Sequence, residues 1–260
     1  MKILFVGDIV GKGGRQAVAT LVPELRRELG CDFCIANAEN IAGGAGITRR
    51  CITDLEGAGV DVFTSGDHVW DQREFVTEIA HLPTVLRPAN VHAGQPGRGY
   101  GLFPAPDGRQ VGVINLLGRV FMNGLSDCPF QAADRIVAEL RPSTPFLLVD
   151  IHAEATSEKV ALGRYLDGRV SVVLGTHTHV PTADECILPG GTGLQCDVGM
   201  VGSRESVLGR DLEPVLQRFS TGMPARFTVA DHHIRLHATL VTLDEQGRTT
   251  AIERLSRDLP

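Results

Sequence analysis

Five short apolar runs recur along the chain, and each one is followed directly by residues that can bind a metal ion. The runs are rich in β-branched and aromatic residues, and they cover 2–6, 33–36, 60–65, 146–149 and 170–176. Most of them precede a segment with helical periodicity, a pattern typical of an α/β fold with largely parallel strands. Because ligands bind beyond the carboxyl ends of such strands, we expect the five polar clusters to meet at one edge.

The last run ends in two histidines, His177 and His179, spaced two residues apart. Side chains in an extended segment alternate between faces, so this spacing presents both imidazoles on the same side. A metal ion fits that arrangement. The alternative for an isolated pair is two solvated loop histidines, and the four similar clusters elsewhere in the chain weigh against it.

The residue types in these clusters restrict the chemistry. Carboxylates, an amide and imidazoles together suit iron, manganese or zinc, whereas a magnesium or calcium site would contain almost only oxygen ligands. Seven ligands are too many for one ion and favour two ions about 3.5–4 Å apart, an arrangement common in phosphate-ester hydrolysis. The candidate ligands are Asp8, Glu39, Asn40, Asp67, His152, His177 and His179, with His68 in addition.

Three longer motifs make the comparison more specific: Asn37-Ala-Glu-Asn40, the segment 150–159 and the segment 175–184. In their order along residues 7–202, the clusters resemble those of the calcineurin-like metallophosphoesterases, and within that superfamily the bacterial YmdB-type phosphodiesterases. The resemblance implies a four-layer α/β/β/α sandwich with two facing mixed sheets. A valine at position 10, where most calcineurin-like enzymes have a histidine, agrees with the narrower group.

The resemblance also implies roles for individual residues. Glu39 matches the carboxylate that bridges the two ions, and His68 matches the proton donor, although a residue that merely orients a ligand is the alternative for His68. Asp67 replaces the asparagine usual at its position and adds a negative charge. The remaining ligands divide between a first ion, with Asp8, Asn40 and His179, and a second ion, with Asp67, His152 and His177.

By this resemblance, the protein is expected to be a dinuclear metal-dependent phosphodiesterase acting on small cyclic nucleotides such as 2′,3′-cyclic AMP. The expected nucleophile is a hydroxide that bridges two divalent or trivalent ions, and iron or manganese is favoured over zinc or magnesium. Two alternatives stay open: a broader phosphomonoesterase or diesterase, and a metal-binding regulatory protein with incidental turnover.

The length of 260 residues is consistent with a single domain over residues 1–260. A net charge of −6 argues against binding long nucleic acid through a basic surface.

The chain has no apolar run long enough for a membrane span and begins at a strand, so we expect a cytoplasmic protein without membrane contact. Six cysteines are expected to be reduced and mostly buried, and a homo-oligomer is compatible with the sequence.

Further elements are predicted from local patterns. The turn 11–15 should lead into a helix to about residue 29, and its glycines with Lys12 and Arg15 form either a phosphate contact or a plain turn. Proline and glycine predict a long surface loop over 88–106. For Asn90 within it, and for the loop 118–122, a structural role is favoured and a place at the rim of the site is the alternative. Strands are expected at 182–188, 225–229, 234–243 and 249–255, with a hairpin between the last two.

Overall fold

The first strand leads through a short second strand into the first helix, and this alternation of strands and helices continues through most of the chain. The computed structural model describes residues 1–260. The strands are β1 Lys2–Val6, β2 Asp8–Ile9, β3 Phe33–Asn37, β4 Val62–Thr64, β5 Tyr100–Pro104, β6 Gln110–Leu117, β7 Leu147–His152, β8 Val172–Thr176, β9 Cys186–Ile187, β10 Gly193–Gln195, β11 Met200–Ser203, β12 Ile234–Leu243 and β13 Thr249–Asp258. The helices are α1 Gly11–Leu29, α2 Arg49–Gly57, α3 Phe75–Glu78, α4 Pro129–Leu140, α5 Thr156–Tyr165 and α6 Leu212–Thr221, with a 3₁₀ turn at Ile79–His81.

The strands form two mixed sheets. The first has the order β2-β11-β12-β1-β3-β4, with β13 paired to β12. The second has the order β5-β6-β7-β8-β10-β9. The strands that precede the polar clusters run parallel to one another within each sheet: β1, β3 and β4 in the first sheet, β7 and β8 in the second.

Three apolar cores hold the layers together, and strand alternation assigns residues to them. In β1, Ile3 and Phe5 belong to a core of 17 buried residues between the two sheets. Leu4 and Val6 point the other way, into a core of 26 buried residues under α1 and α2. A third core of 17 residues lies between the second sheet and helices α4 and α5. These cores confirm the predicted α/β/β/α sandwich with two facing mixed sheets.

Helix α1 shows how the local sequence sets an element. Its apolar residues at positions 17, 18, 21, 22 and 25 recur with helical spacing and are buried against the first sheet. The helix ends at Gly30, which has φ of 64° and accommodates the left-handed conformation that closes many helices. Gly14 permits close approach, because a Cβ there would lie 2.4 Å from the carbonyl oxygen of Val201.

Several local predictions need correction. The stretch 88–106 is not one long loop, because β5 lies within it and pairs with β6. Strand β9 occupies only two residues of the segment 182–188, and 225–229 contains a single isolated bridge at Val229 instead of a strand. The hairpin of β12 and β13 is confirmed, and β13 continues to Asp258.

Other expectations concern the cysteines, one buried amide and the surface. All six cysteines are free, but only Cys34 and Cys196 are buried, so the prediction that most are buried is wrong. Asn90 is buried, and its side-chain amide donates to the carbonyls of Leu117 and Asp127 and accepts from the backbone nitrogen of Leu117, as the expected structural role requires. No helix of the structure combines the length and the apolar character needed to cross a bilayer.

Candidate metal centre

Four of the predicted ligands come together at the ends of strands from both sheets. One ligand atom each from Glu39, Asp67, His152 and His177 lies within 4.8 Å of all the others. Nε2 of His152 is 3.1 Å from Oε1 of Glu39 and 3.3 Å from Oδ1 of Asp67. Nδ1 of His177 is 3.0 Å from Nε2 of His152. Two carboxylate oxygens and two ring nitrogens therefore surround one small volume.

The other three predicted ligands border this cluster. Asn40 contacts Oε1 of Glu39 at 3.1 Å and Nε2 of His179 at 3.3 Å through its amide nitrogen. Asp8 accepts a hydrogen bond of 3.2 Å from the backbone nitrogen of His177. The structure thus places all seven residues in one connected group. Glu39 contacts both His152 within the cluster and Asn40 at its border.

The group has the properties of a cation site. Oδ1 of Asp8 and Oδ1 of Asp67 are buried and accept no hydrogen bond, which is costly unless a positive charge faces them. Burial raises the pKa of Asp8 well above its usual range, so its ionised form needs such a charge nearby. Gly66 leaves this space open, since a Cβ there would lie 2.2 Å from Oε2 of Glu39. Mixed oxygen and imidazole donors fit a transition metal.

A buried polar network beneath His152 fixes its ring. Nδ1 of His152 lies 2.9 Å from Oγ1 of Thr176, and Thr176 donates in turn to Asp150 at 2.7 Å. Asn37 donates to the same aspartate at 3.2 Å and accepts from the backbone nitrogen of Glu39 at 3.1 Å. Such partners orient metal-binding histidines and carboxylates. Asp150 and Asn37 stand in the motifs singled out above, but their supporting role was not predicted.

His68 lies at the rim of the cluster, with its side chain 43% exposed. Its Nδ1 contacts Oδ2 of Asp71 at 2.8 Å, and its backbone nitrogen donates to Glu39 at 3.4 Å. Burial alone would lower the pKa of His68, but the carboxylates of Glu39 and Asp71 outweigh it and raise that pKa. The geometry suits an imidazolium that can donate a proton into the site. Asp71 was missed, although it follows His68 by only three residues.

The loop that carries the two histidines is held in an uncommon conformation. His177 has φ of 99° and His179 has φ of 64°, values that residues other than glycine seldom adopt. Asp197 accepts hydrogen bonds from the backbone nitrogen of Thr178 at 3.0 Å and from its hydroxyl at 2.8 Å. Nδ1 of His179 donates to the carbonyl of Leu208 at 3.1 Å. Neither Asp197 nor Leu208 is part of a recognisable metal-binding motif, so the sequence did not predict their roles.

A cavity of about 280 Å³ opens over the cluster. Five of the predicted site residues line it, together with residues to which the sequence assigned no role. Its lining consists of Glu39, Asn40, His68, Glu154, His177, Thr178, His179, Leu208 and Arg210. Glu154 contacts Nε2 of His177 at 3.2 Å. The turn 11–15 does not contribute, because Arg15 donates to the carbonyl of Ile41 and Lys12 is exposed to solvent.

Two facing mixed sheets with a histidine and carboxylate cluster at their strand ends define the calcineurin-like class of metallophosphoesterase folds. The chain belongs to the YmdB-like protein family, whose model matches residues 4–255. Both the family and the fold inferred from the sequence motifs are thereby confirmed.

Individual relatives cover nearly the whole chain. A 2′,3′-cyclic-nucleotide 2′-phosphodiesterase from Bacillus subtilis (strain 168) is 46% identical over 256 residues, which are 98% of this chain and 96% of the relative. The crystal structure of a hypothetical protein from Thermus thermophilus matches with a TM-score of 0.93 and 43% identity over 100% of both chains. That of a novel phosphatase from Mycoplasma pneumoniae matches with a TM-score of 0.92 and 30% identity, over 99% of this chain and 93% of that one.

Proposed function

We propose that this protein is a dinuclear metal-dependent phosphodiesterase that hydrolyses small cyclic nucleotides such as 2′,3′-cyclic AMP. Family membership and the named relatives support an enzyme that cleaves phosphoric diesters. The observation that carries the proposal is the cluster of Glu39, Asp67, His152 and His177, in which the ligand atoms lie within 4.8 Å of one another.

Two ions would share Glu39. In this arrangement Asp8, Asn40 and His179 would hold the first ion, and Asp67, His152 and His177 would hold the second. The mixture of carboxylate, amide and imidazole donors favours iron or manganese over zinc or magnesium. When bound, the ions would supply Lewis acidity to a water nucleophile and to the phosphoryl group.

His68 would provide the proton that the reaction requires. Hydrolysis forms a bond between the water oxygen and phosphorus and breaks the bond from phosphorus to one ribose oxygen, which must then take up a proton. The imidazolium of His68 lines the cavity, and its contact with Asp71 orients Nε2 away from that carboxylate. Nε2 is thus free to donate to the departing oxygen, a role that typically contributes about 10²–10⁴-fold to the rate.

The cavity and the charge of the chain support a small substrate. A volume of about 280 Å³ accommodates a phosphodiester and part of a nucleoside. The net charge of −6 also disfavours long nucleic acid, because affinity for such a ligand depends on neutralising many phosphates.

A phosphomonoesterase is a second candidate, because the related Mycoplasma pneumoniae protein is described as a phosphatase. The 46% identity to a 2′,3′-cyclic-nucleotide 2′-phosphodiesterase, against 30% to that phosphatase, favours the diester.

Substrate preference and metal content test the proposal together. Purified protein would be analysed for metal and offered 2′,3′-cyclic AMP, 3′,5′-cyclic AMP, bis-p-nitrophenyl phosphate and p-nitrophenyl phosphate. We expect close to two metal ions per chain and faster cleavage of the diesters than of the monoester. Full metal occupancy without hydrolysis of any compound would support the regulatory alternative, and faster monoester cleavage would support the phosphatase.

A further inference from the structure

Arg210 is the one residue with a permanent positive charge among those that line the cavity over the cluster. It was not part of any motif, and it follows Leu208, the carbonyl partner of His179, by two residues. The predicted metal ligands therefore do not explain why a positive charge lies at the wall of this cavity.

The guanidinium of Arg210 is not neutralised by a carboxylate. Nη2 donates a hydrogen bond of 2.6 Å to the carbonyl of Gly44, which accounts for only one of its five donors. Burial alone lowers the pKa of Arg210, with no neighbouring acid acting in the opposite direction. A half-buried charge without a counter-ion is unfavourable, and a guanidinium that faces a cavity can regain this energy by binding an anion.

The backbone around Arg210 fixes its position. Val207 and Arg210 exchange two backbone hydrogen bonds of 2.9 Å each, and the residues between them, Leu208 and Gly209, have φ of 52° and 88°. These values describe a tight two-residue turn with left-handed residues at both central positions. Because the carbonyl of Leu208 also accepts the hydrogen bond from His179, this turn links Arg210 rigidly to a predicted metal ligand.

The glycine-rich segment 41–46, which contacts Arg210 through Gly44, leaves room for the guanidinium. A Cβ on Gly44 would lie 2.6 Å from Nη1 of Arg210, so a larger residue there would displace it. The same segment is also held by Arg15, which donates to the carbonyl of Ile41. Arg15 and Arg210 therefore both anchor this segment, but only Arg210 lines the cavity.

We infer that Arg210 binds the phosphoryl group of the substrate, with its free donors directed to the non-bridging oxygens of a phosphodiester anion. Arginine pairs with phosphate through two parallel hydrogen bonds, which fix the orientation of the group as well as its charge. This inference rests on the proposed function, because it assigns the substrate's anionic group to a position in the same cavity.

The test compares Arg210→Met with Arg15→Met, a matched variant that loses a carbonyl anchor of the same segment but no cavity charge. We expect Arg210→Met to lower kcat/KM for 2′,3′-cyclic AMP on the order of 10- to 100-fold, mainly through KM, with unchanged metal content. The inhibition constant of inorganic phosphate should rise by a similar factor. Arg15→Met should change neither constant by more than about twofold.

Two further measurements test the role of Arg210 if Arg210→Met folds poorly. Arg210→Lys keeps the charge and should recover only part of the phosphate affinity, because it lacks the paired donors. Guanidinium ion at non-denaturing concentration should restore activity in Arg210→Ala. Equal losses in the Arg15 and Arg210 variants, or unchanged phosphate inhibition in Arg210→Met, would overturn the inference. If the wild-type protein cleaves no diester, the proposed function fails, and calorimetric titration with inorganic phosphate still decides the role of Arg210.

Discussion

Nζ of Lys159 lies 2.8 Å from Oδ2 of Asp197, and both side chains are at most 2% exposed. The same carboxylate oxygen accepts from Thr178, between the two histidines with positive φ. A buried ion pair is expensive to desolvate, so its stability alone does not explain its presence. Its geometry indicates that Lys159 fixes the position of the Asp197 carboxylate, and that this carboxylate in turn holds the loop of the two histidines through Thr178.

Replacing Lys159 should therefore affect both stability and metal binding. Lys159→Met leaves Asp197 buried without a counter-charge and should cost about 3–5 kcal/mol in the free energy of unfolding, measured by urea titration. Metal content should decrease as well. The control is Arg169→Met, which removes the exposed ion pair with Asp134 at 2.6 Å and should cost less than about 1 kcal/mol. Similar losses in the free energy of unfolding in the two variants would contradict this role of the buried ion pair.

Proton donation by His68 can be separated from metal binding. His68→Ala should keep its metal and lose about 10²–10⁴-fold in kcat, whereas Glu39→Gln should lose metal and turnover together. Asp71→Asn should keep its metal and lose less in kcat than His68→Ala, because His68 stays present but less well oriented. Elemental analysis and steady-state kinetics check these outcomes. Undiminished activity of His68→Ala across the pH range would exclude its role as the acid.

The charge of Asp67 should determine how strongly metal binds. Its Oδ1 is buried, accepts no hydrogen bond and lies 3.6 Å from Nδ1 of His177. Asp67→Asn keeps an oxygen at the position but removes the charge, so we expect manganese affinity to fall by about tenfold in calorimetric titrations. Asp71→Asn removes a charge from the same segment outside the cluster and serves as the control. Equal manganese affinities in Asp67→Asn and the wild type would show that the charge has no such effect.

Gly66 tests whether the cluster needs its open space. A Cβ at this position would lie 2.1 Å from Cδ2 of His152, so Gly66→Ala should displace the ring and cost about 1–3 kcal/mol in stability. Metal content should also decrease. Gly57→Ala is the comparison, because a Cβ there meets no atom within 4 Å at the end of α2, and it should be neutral or slightly stabilising. Normal metal content in Gly66→Ala would argue against a compact site.

A histidine outside the site gives a prediction for pH. Burial, aided by Arg235, lowers the pKa of His237 below its usual value, so the folded state favours the neutral imidazole. Its contribution to stability is complete above the unfolded-state pKa of about 6.5 and is lost as the pH falls below that value, because protonation then favours unfolding. His237→Gln should therefore show a smaller decrease in urea midpoint than the wild type between about pH 7.5 and about pH 5.5. The exposed His232→Gln is the control, and a decrease in His237→Gln as large as in the wild type would refute the assignment.

Local sequence patterns correctly predicted the strands that precede the polar clusters, because each of these strands is an apolar run followed directly by polar residues. Patterns failed where distant contacts decide the structure. The segment 88–106 is rich in proline and glycine, yet Tyr100–Pro104 forms a strand because β6 supplies its hydrogen-bond partners. The segment 225–229 has strand-like residues but lacks a neighbour that could pair along its length.

The sequence by itself determined the family, the candidate ligand types and their positions at strand ends, since each cluster is a short local motif that follows an apolar run. Only the tertiary structure decided that the clusters come from two different sheets. The core between them, with Phe5, Ile35 and Leu148 among its members, packs the sheets face to face and brings Glu39 into contact with His152 although they are far apart in the sequence. It likewise brought Asp197 and Arg210 to the site. These residues carry no local signal, because their roles depend on which side chains and backbone groups the packed layers place beside them.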